Sequence, residues 1–169
     1  MTATDERRRS PVAGLAVVGA VIVMLAVVTV VVVVALTRGS GPADEFEQAA
    51  ERFHSQYEPL ARQLAANVDR AGDGLLDAGL LTAQQDARAL ADLFVTYGEA
   101  LAAIEFPAEA EQAATQLANA VAAGRVLMVN AAGFFSKGPM ESALDELQPQ
   151  TEAIIAEREQ ALRQALGGS

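Results

Sequence analysis

Apolar and polar positions follow two different patterns along this chain. From residue 11 to residue 37, "PVAGLAVVGAVIVMLAVVTVVVVVALT", no side chain is charged. From Asp44 onward, apolar residues return every three or four positions with polar ones between them. A buried strand runs about 4–8 residues, so the first pattern is too long for one. It is also roughly twice the apolar stretch of a signal peptide, about 7–15 residues. Ala35-Leu36-Thr37, followed at once by Arg38, makes a poor small-x-small cleavage site, and Gly41-Pro42-Ala43 would put proline just before the cut. As a helix rising ~1.5 Å per residue the segment reaches ~40 Å, more than the ~30 Å hydrocarbon core of a bilayer. It therefore predicts a retained transmembrane helix. Valine is a weak helix former in water, but in lipid a helix pairs every backbone N–H within the segment.

The second pattern predicts four helices. Phe46, Ala50, Phe53, Tyr57, Leu60, Leu64 and Val68 step by three or four and form one face. Pro59 falls inside this run and predicts a kink, since the phase carries through it. "RAGDGLLDAGL" (70–80) breaks the run. Thr82, with Gln85 three residues later, predicts a capping box at the start of the second helix. That helix shows Ala83, Ala87, Leu90, Phe94, Tyr97, Leu101 and Ile104 on one face. Pro107 suits the first turn of a third helix, and Glu109 and Glu111 suit its positive end. The third face runs Ala110, Ala114, Leu117, Val121, Gly124, Met128, Ala131 and Phe135. Its small residues predict one especially close helix pair. The fourth begins near Pro139 and carries Leu144, Leu147, Thr151, Ile154 or Ile155, Leu162 and Leu166, with Pro149 as a second kink site. No stretch outside residues 11–37 alternates with a period of two, so a sheet is not expected.

These elements predict an all-α fold: one N-terminal transmembrane helix followed by an up-down-up-down four-helix bundle. The expected division is a tail (1–10), a membrane span (11–37), a linker (38–43) rich in glycine and ending near Pro42, and a helical bundle (44–169).

Charge sets the expected orientation. Arg7, Arg8 and Arg9 precede the span and Arg38 alone follows it. An arginine excess on one flank keeps that flank in the cytoplasm, which places the bundle on the extracytoplasmic side of the cell membrane. Residues 43–169 hold 20 acidic against 8 basic side chains, net −12. A surface of that sign repels phosphate backbones, so nucleic acid is not an expected partner. Membrane lipid, through residues 11–37, is. Ala16-x-x-x-Ala20 would let two spans pack closely, but small residues are common in such helices and nothing else calls for a homodimer.

Candidate chemistry is sparse. There are no cysteines and a single histidine, His54. That composition excludes disulfides, thiolate metal sites and a cysteine nucleophile. Glu47, Glu51, His54 and Glu58 share one helical stripe. Glu51-x-x-His54 has the spacing used by dinuclear bundle sites, but such a site needs two of these pairs. The stripe reads as a solvated acidic face with Glu58 and Arg62 paired at i, i+4. Glu51, His54 and Glu58 are the candidates for a weak, pH-sensitive cation site. "DRAGDGLLD" (69–77) has some calcium-loop residues, yet its twelfth position is Leu80 rather than a glutamate, which makes it a polar turn. Phe134 and Phe135, with Met128 and Met140, are candidates to line an apolar pocket between the last two helices, although such residues are more often plain core.

The basic tail, the valine-alanine span, the Gly/Ser/Pro linker and "YGEALAAIEFPAEAEQAATQLANAV" (97–121) resemble uncharacterised membrane-anchored or secreted proteins of high-GC actinobacteria with alanine-rich helical extracytoplasmic domains. The resemblance implies location and layout. It implies no activity, no cofactor and no functional residue. An enzyme would be left only carboxylate or serine chemistry without visible partners, since there is one histidine and no cysteine; two other function classes fit the pattern better. One is a membrane-tethered extracytoplasmic interaction module without catalytic activity, meeting an envelope protein. The other is a small-ligand or cation-binding accessory bundle that works through a partner membrane protein.

Overall fold

A computed structural model describes residues 41–74 and 77–167 of the chain. The expected tail, the expected transmembrane helix at 11–37 and the first half of the linker, residues 38–40, lie outside the described residues. Among those described, no helix is long and apolar enough to cross a membrane. Gly41–Ser169 forms one compact unit. It holds four helices: α1 (Pro42–Arg70), α2 (Ala78–Ala102), α3 (Ala108–Ala131) and α4 (Lys137–Ala165). No strand occurs among the described residues.

The helices run alternately up and down. Between α1 and α2, Ala71 lies against Gly79 while Phe53 lies against Tyr97, so sequence numbers fall on one helix as they rise on the other. Between α2 and α3, Gly98 neighbours Val121 and Gln84 reaches the Phe134 carbonyl. Between α4 and α1, Arg163 meets Glu47 and Lys137 meets the Asp69 carbonyl. The ring of neighbours closes as a four-helix bundle. Its α1–α4 side is the loosest, since those two backbones approach each other least.

The core follows the expected faces closely. Phe46, Ala50, Phe53, Tyr57, Leu64 and Val68 of α1 are all buried, as are Ala83, Ala87, Leu90, Phe94, Tyr97 and Leu101 of α2. Phe53 is the hub of an aromatic cluster. Its ring stacks on Tyr97 at 4.5 Å between centroids and sits 5.3 Å from both Tyr57 and Phe94. The close helix pair expected on α3 is α2–α3. A Cβ on Gly124 would stand 2.7 Å from Cε1 and Cζ of Phe94. The missing side chain is the space the ring occupies.

Helix ends differ from expectation where capping chemistry had more than one solution. Pro42, expected in the linker, opens α1 after Gly41. Its fixed φ and missing N–H suit a first helical position. The cap of α2 is Asp77, whose Oδ1 accepts from the Leu80 backbone N–H at 3.1 Å. The expected cap, Thr82, lies inside the helix and donates its hydroxyl to the Ala78 carbonyl at 2.9 Å. Either residue has the required oxygen. The earlier one wins because Gly79 packs directly on the Ala71 backbone, which lets the helix begin sooner. Pro107 is the cap of α3 and not part of its first turn. α4 begins at Lys137, two residues before Pro139. α1 continues through Pro59 without a break. Pro59 is exposed, so water can reach the Ser55 carbonyl that loses its helical donor.

Two expected core residues, Phe135 and Leu147, are outside, and of the pair Ile154 and Ile155 it is Ile155 that is buried. Phe135 is 67% exposed because α3 ends at Ala131 and helical phase stops with it. Leu147 and Ile154 are each 47% exposed. The true inner stripe of α4 is Met140, Leu144, Ile155, Glu159 and Leu162. At 100° per residue, Leu147 and Ile154 fall on its shoulder.

Candidate functional site

The most unusual member of that stripe is a carboxylate. Glu159 stands one turn after Ile155 and three residues before Leu162, in core phase, and its side chain is 3% exposed. Burying a carboxylate without partners is costly, so its surroundings must answer for it. Three helices do so. From α2, the Tyr97 hydroxyl donates to Glu159 Oε1 at 2.7 Å. From α1, His54 Nε2 lies 2.9 Å from Oε2 and 3.1 Å from Oε1 and donates when it carries the proton. From α4 itself, Arg163 Nη2 lies 3.7 Å from Oε2. Arg163 also donates to Glu47 at 2.7 Å and spreads its guanidinium over the Phe46 ring, 5.5 Å from the centroid.

Local structure explains why these groups meet. His54 and Phe53 are adjacent on α1, so the ring that stacks on Tyr97 and the ring that reaches α4 point to neighbouring faces. The Tyr97 ring lies flat on Phe53, which directs its hydroxyl outward past the aromatic cluster to Glu159. Glu159 and Arg163 are one turn apart on α4, and Glu47 is two turns before His54 on α1.

The electrostatics follow from this packing. The hydrogen bond that His54 donates to Glu159 favours the imidazolium, so its pKa lies above the ordinary 6.5, although partial burial opposes the shift. Burial, and then the neighbouring Glu159 charge, keep the Tyr97 hydroxyl protonated far above its usual range. Tyr97 is thus a donor at any ordinary pH. Arg163 is held in its charged form chiefly by its bond to Glu47.

Two further polar groupings lie nearby. Tyr57 donates to Glu152 at 2.7 Å, and Gln148 donates to both, which again joins α1 to α4. Asp86 of α2, 6% exposed, accepts from Gln63 and Asn67 of α1, each at 2.6 Å. Among the described residues, no buried side-chain nitrogen or oxygen lacks a partner.

The α1–α4 seam is flanked by two clefts. One, about 340 Å³, lies beside Phe46, Glu47, Arg163 and Leu166. The other, about 240 Å³, lies beside Val68, Leu144, Gln148 and Glu152. A third hollow, about 550 Å³, lies between α2 and α3 next to Ile104 and Phe106.

The three side chains singled out for a cation site do not act together. His54 turns across the seam to Glu159, whereas Glu51 and Glu58 are exposed on α1. Glu58 pairs with Arg62 at 4.0 Å, as its spacing predicts. No group of three or more His, Asp or Glu side chains among the described residues could hold a metal ion. Met128 and Met140 are fully buried core and Phe135 is open to solvent, so the apolar set expected between α3 and α4 does not line one gap. Sequence reading missed Glu159 and Tyr97 as partners. The signal was present in α4, as a glutamate in phase with Ile155 and Leu162 on an otherwise apolar stripe.

The chain matches no protein-family model, and neither a curated protein nor a solved structure shows significant similarity to it.

Proposed function

We propose that this chain is a membrane-tethered helical interaction module without catalytic activity. Residues 1–10 stay in the cytoplasm, residues 11–37 cross the membrane, and the four-helix unit stands outside and engages an envelope protein. The observation that carries the reading is the uncharged segment 11–37, with Arg7, Arg8 and Arg9 before it and a separate compact unit from Gly41 onward. The length supports a span and the arginines support its direction. The absence of catalytic activity is supported by the chemistry of the best polar cluster. Glu159 is buried and already engaged by internal partners, which is the behaviour of a structural carboxylate.

Reporter fusions at each end of residues 11–37, read as periplasmic and cytoplasmic activities, test the placement. An active cytoplasmic reporter at the N-terminal end and an active extracytoplasmic reporter after residue 41 are expected. The opposite pair, or release of the domain into the medium, would overturn the tether. Crosslinking in intact cells then tests the module. One envelope protein recovered reproducibly with the full chain, and lost on deletion of residues 41–169, is expected.

A further inference from the structure

We infer that the α1–α4 seam is a proton-controlled latch, closed while protonated His54 on α1 holds the buried Glu159 carboxylate of α4 and loosened when His54 loses its proton. The inference concerns the four-helix unit alone and stands whether or not residues 11–37 span a membrane.

The geometry makes His54 the deciding group. Glu159 is too buried to be hydrated, so its charge depends on its neighbours. Arg163 is nearby at 3.7 Å, but its shorter bond, 2.7 Å, goes to Glu47. His54 is closer to Glu159, at 2.9 Å. The charged groups acting on the imidazole are Glu58 from α1 and Glu159 and Arg163 from α4, and Glu47 of α1 and Tyr97 of α2 in turn bond Arg163 and Glu159. Glu58 pairs with Arg62, so with His54 protonated two cations, His54 and Arg163, stand against Glu47 and Glu159. With His54 neutral, Arg163 alone must serve Glu47 and Glu159.

The seam is where such a change has leverage. α1 and α4 approach each other less closely than the other neighbouring pairs, and side-chain bonds bridge the space. Glu47–Arg163, His54–Glu159, Tyr57–Glu152 and the Lys137 bond to the Asp69 carbonyl run along it. Clefts already flank the His54–Glu159 bond toward either end. The His54 side chain is 44% exposed, so a proton reaches it without unfolding.

The direction follows from linkage. Folding raises the His54 pKa above 6.5, so the latch gives its full stabilisation below pH 6.5 and loses it as pH rises through the folded value. Loosening is therefore an alkaline event in this protein.

The natural chain has no cysteine, so Gln56→Cys on α1 and Ala153→Cys on α4, both exposed positions, accept spin labels without background. Distances between the labels are measured by pulsed electron resonance on the full chain in nonionic detergent at pH 5.5 and 8.5. A long-distance population about threefold larger at pH 8.5 is expected, the equivalent of a small population shift between two states. Adding His54→Gln should give the larger population at both pH values. Adding His54→Lys, a cation throughout this range, should give the smaller one at both. Identical distributions at the two pH values in the parent pair would overturn the latch. So would a pH response that survives His54→Lys, and this arm still decides if the glutamine variant does not fold.

Discussion

The Tyr97 hydroxyl donates to Glu159 Oε1 across 2.7 Å, joining α2 to α4 through the bundle interior. An aromatic ring in the core thereby supplies the neutral donor that a buried carboxylate needs. Tyr97→Phe keeps the ring and its stacking on Phe53 but leaves the carboxylate one donor short. Loss of about 1–3 kcal/mol is expected, the cost of leaving a buried acceptor short of a partner. Tyr57→Phe should cost at most about 1 kcal/mol, because its partner Glu152 is exposed and water can replace the hydroxyl. Urea denaturation of the two variants side by side checks the difference. Equal losses would mean that the Tyr97–Glu159 bond has no special weight.

Two helical glycines should respond to alanine with opposite signs. Gly124→Ala would place a Cβ 2.7 Å from the Phe94 ring, so either the ring or α3 must move. Overpacking of this kind costs about 1–3 kcal/mol, more than the ~1 kcal/mol that alanine returns in helix propensity. At Gly98 the nearest contact would be Val121 Cγ1 at 3.8 Å, an ordinary van der Waals distance. Gly98→Ala is therefore expected to stabilise by about 0.4–1 kcal/mol. Thermal midpoints of the two variants read the signs directly.

The start of α2 rests on Asp77. Asp77→Ala should lower the thermal midpoint, whereas Thr82→Ala should leave it close to the parent value, because the Thr82 hydroxyl only returns to a carbonyl of its own helix. The Leu80 N–H bonded to Asp77 holds its carboxyl below the ordinary 3.8. The contribution of the cap is therefore present above pH 3.8 and is lost as pH falls through the folded value. Melting curves from pH 7 to pH 2 should show this component in the parent and not in Asp77→Ala.

Phe135 and Met140 separate surface from core in the region once expected to form a pocket. Phe135→Ser is expected to change stability by no more than about 0.5 kcal/mol, as for an exposed side chain outside a packed site. Met140→Ala removes a fully buried side chain and should cost about 2–5 kcal/mol. Chemical denaturation of both variants checks the contrast.

Periodicity was a reliable guide where a helix had one apolar face and no competing stripe. The α1 residues from Phe46 to Val68 and the α2 residues from Ala83 to Leu101 are buried as their spacing predicts, apart from Leu60, which is half-buried. It was a poorer guide on α4, where Leu147 and Ile154 offered a second apolar stripe beside the true one. Only a neighbouring helix could choose between them. Ile155 and Glu159 face inward because α1 and α2 present His54 and Tyr97 to that side.

The sequence by itself determined that the chain is helical, where most helices turn, and that an uncharged segment stands apart from an acidic, periodic remainder. Those properties are local, since propensity, capping residues and spacing act within a few turns. Tertiary structure decided what His54 does. A histidine within an acidic stripe reads as a surface group or a weak ligand until a glutamate 105 residues away is seen against it. That pairing joins the first and last helices of the bundle, and spacing along the chain does not encode which side chains the closing of the bundle brings together.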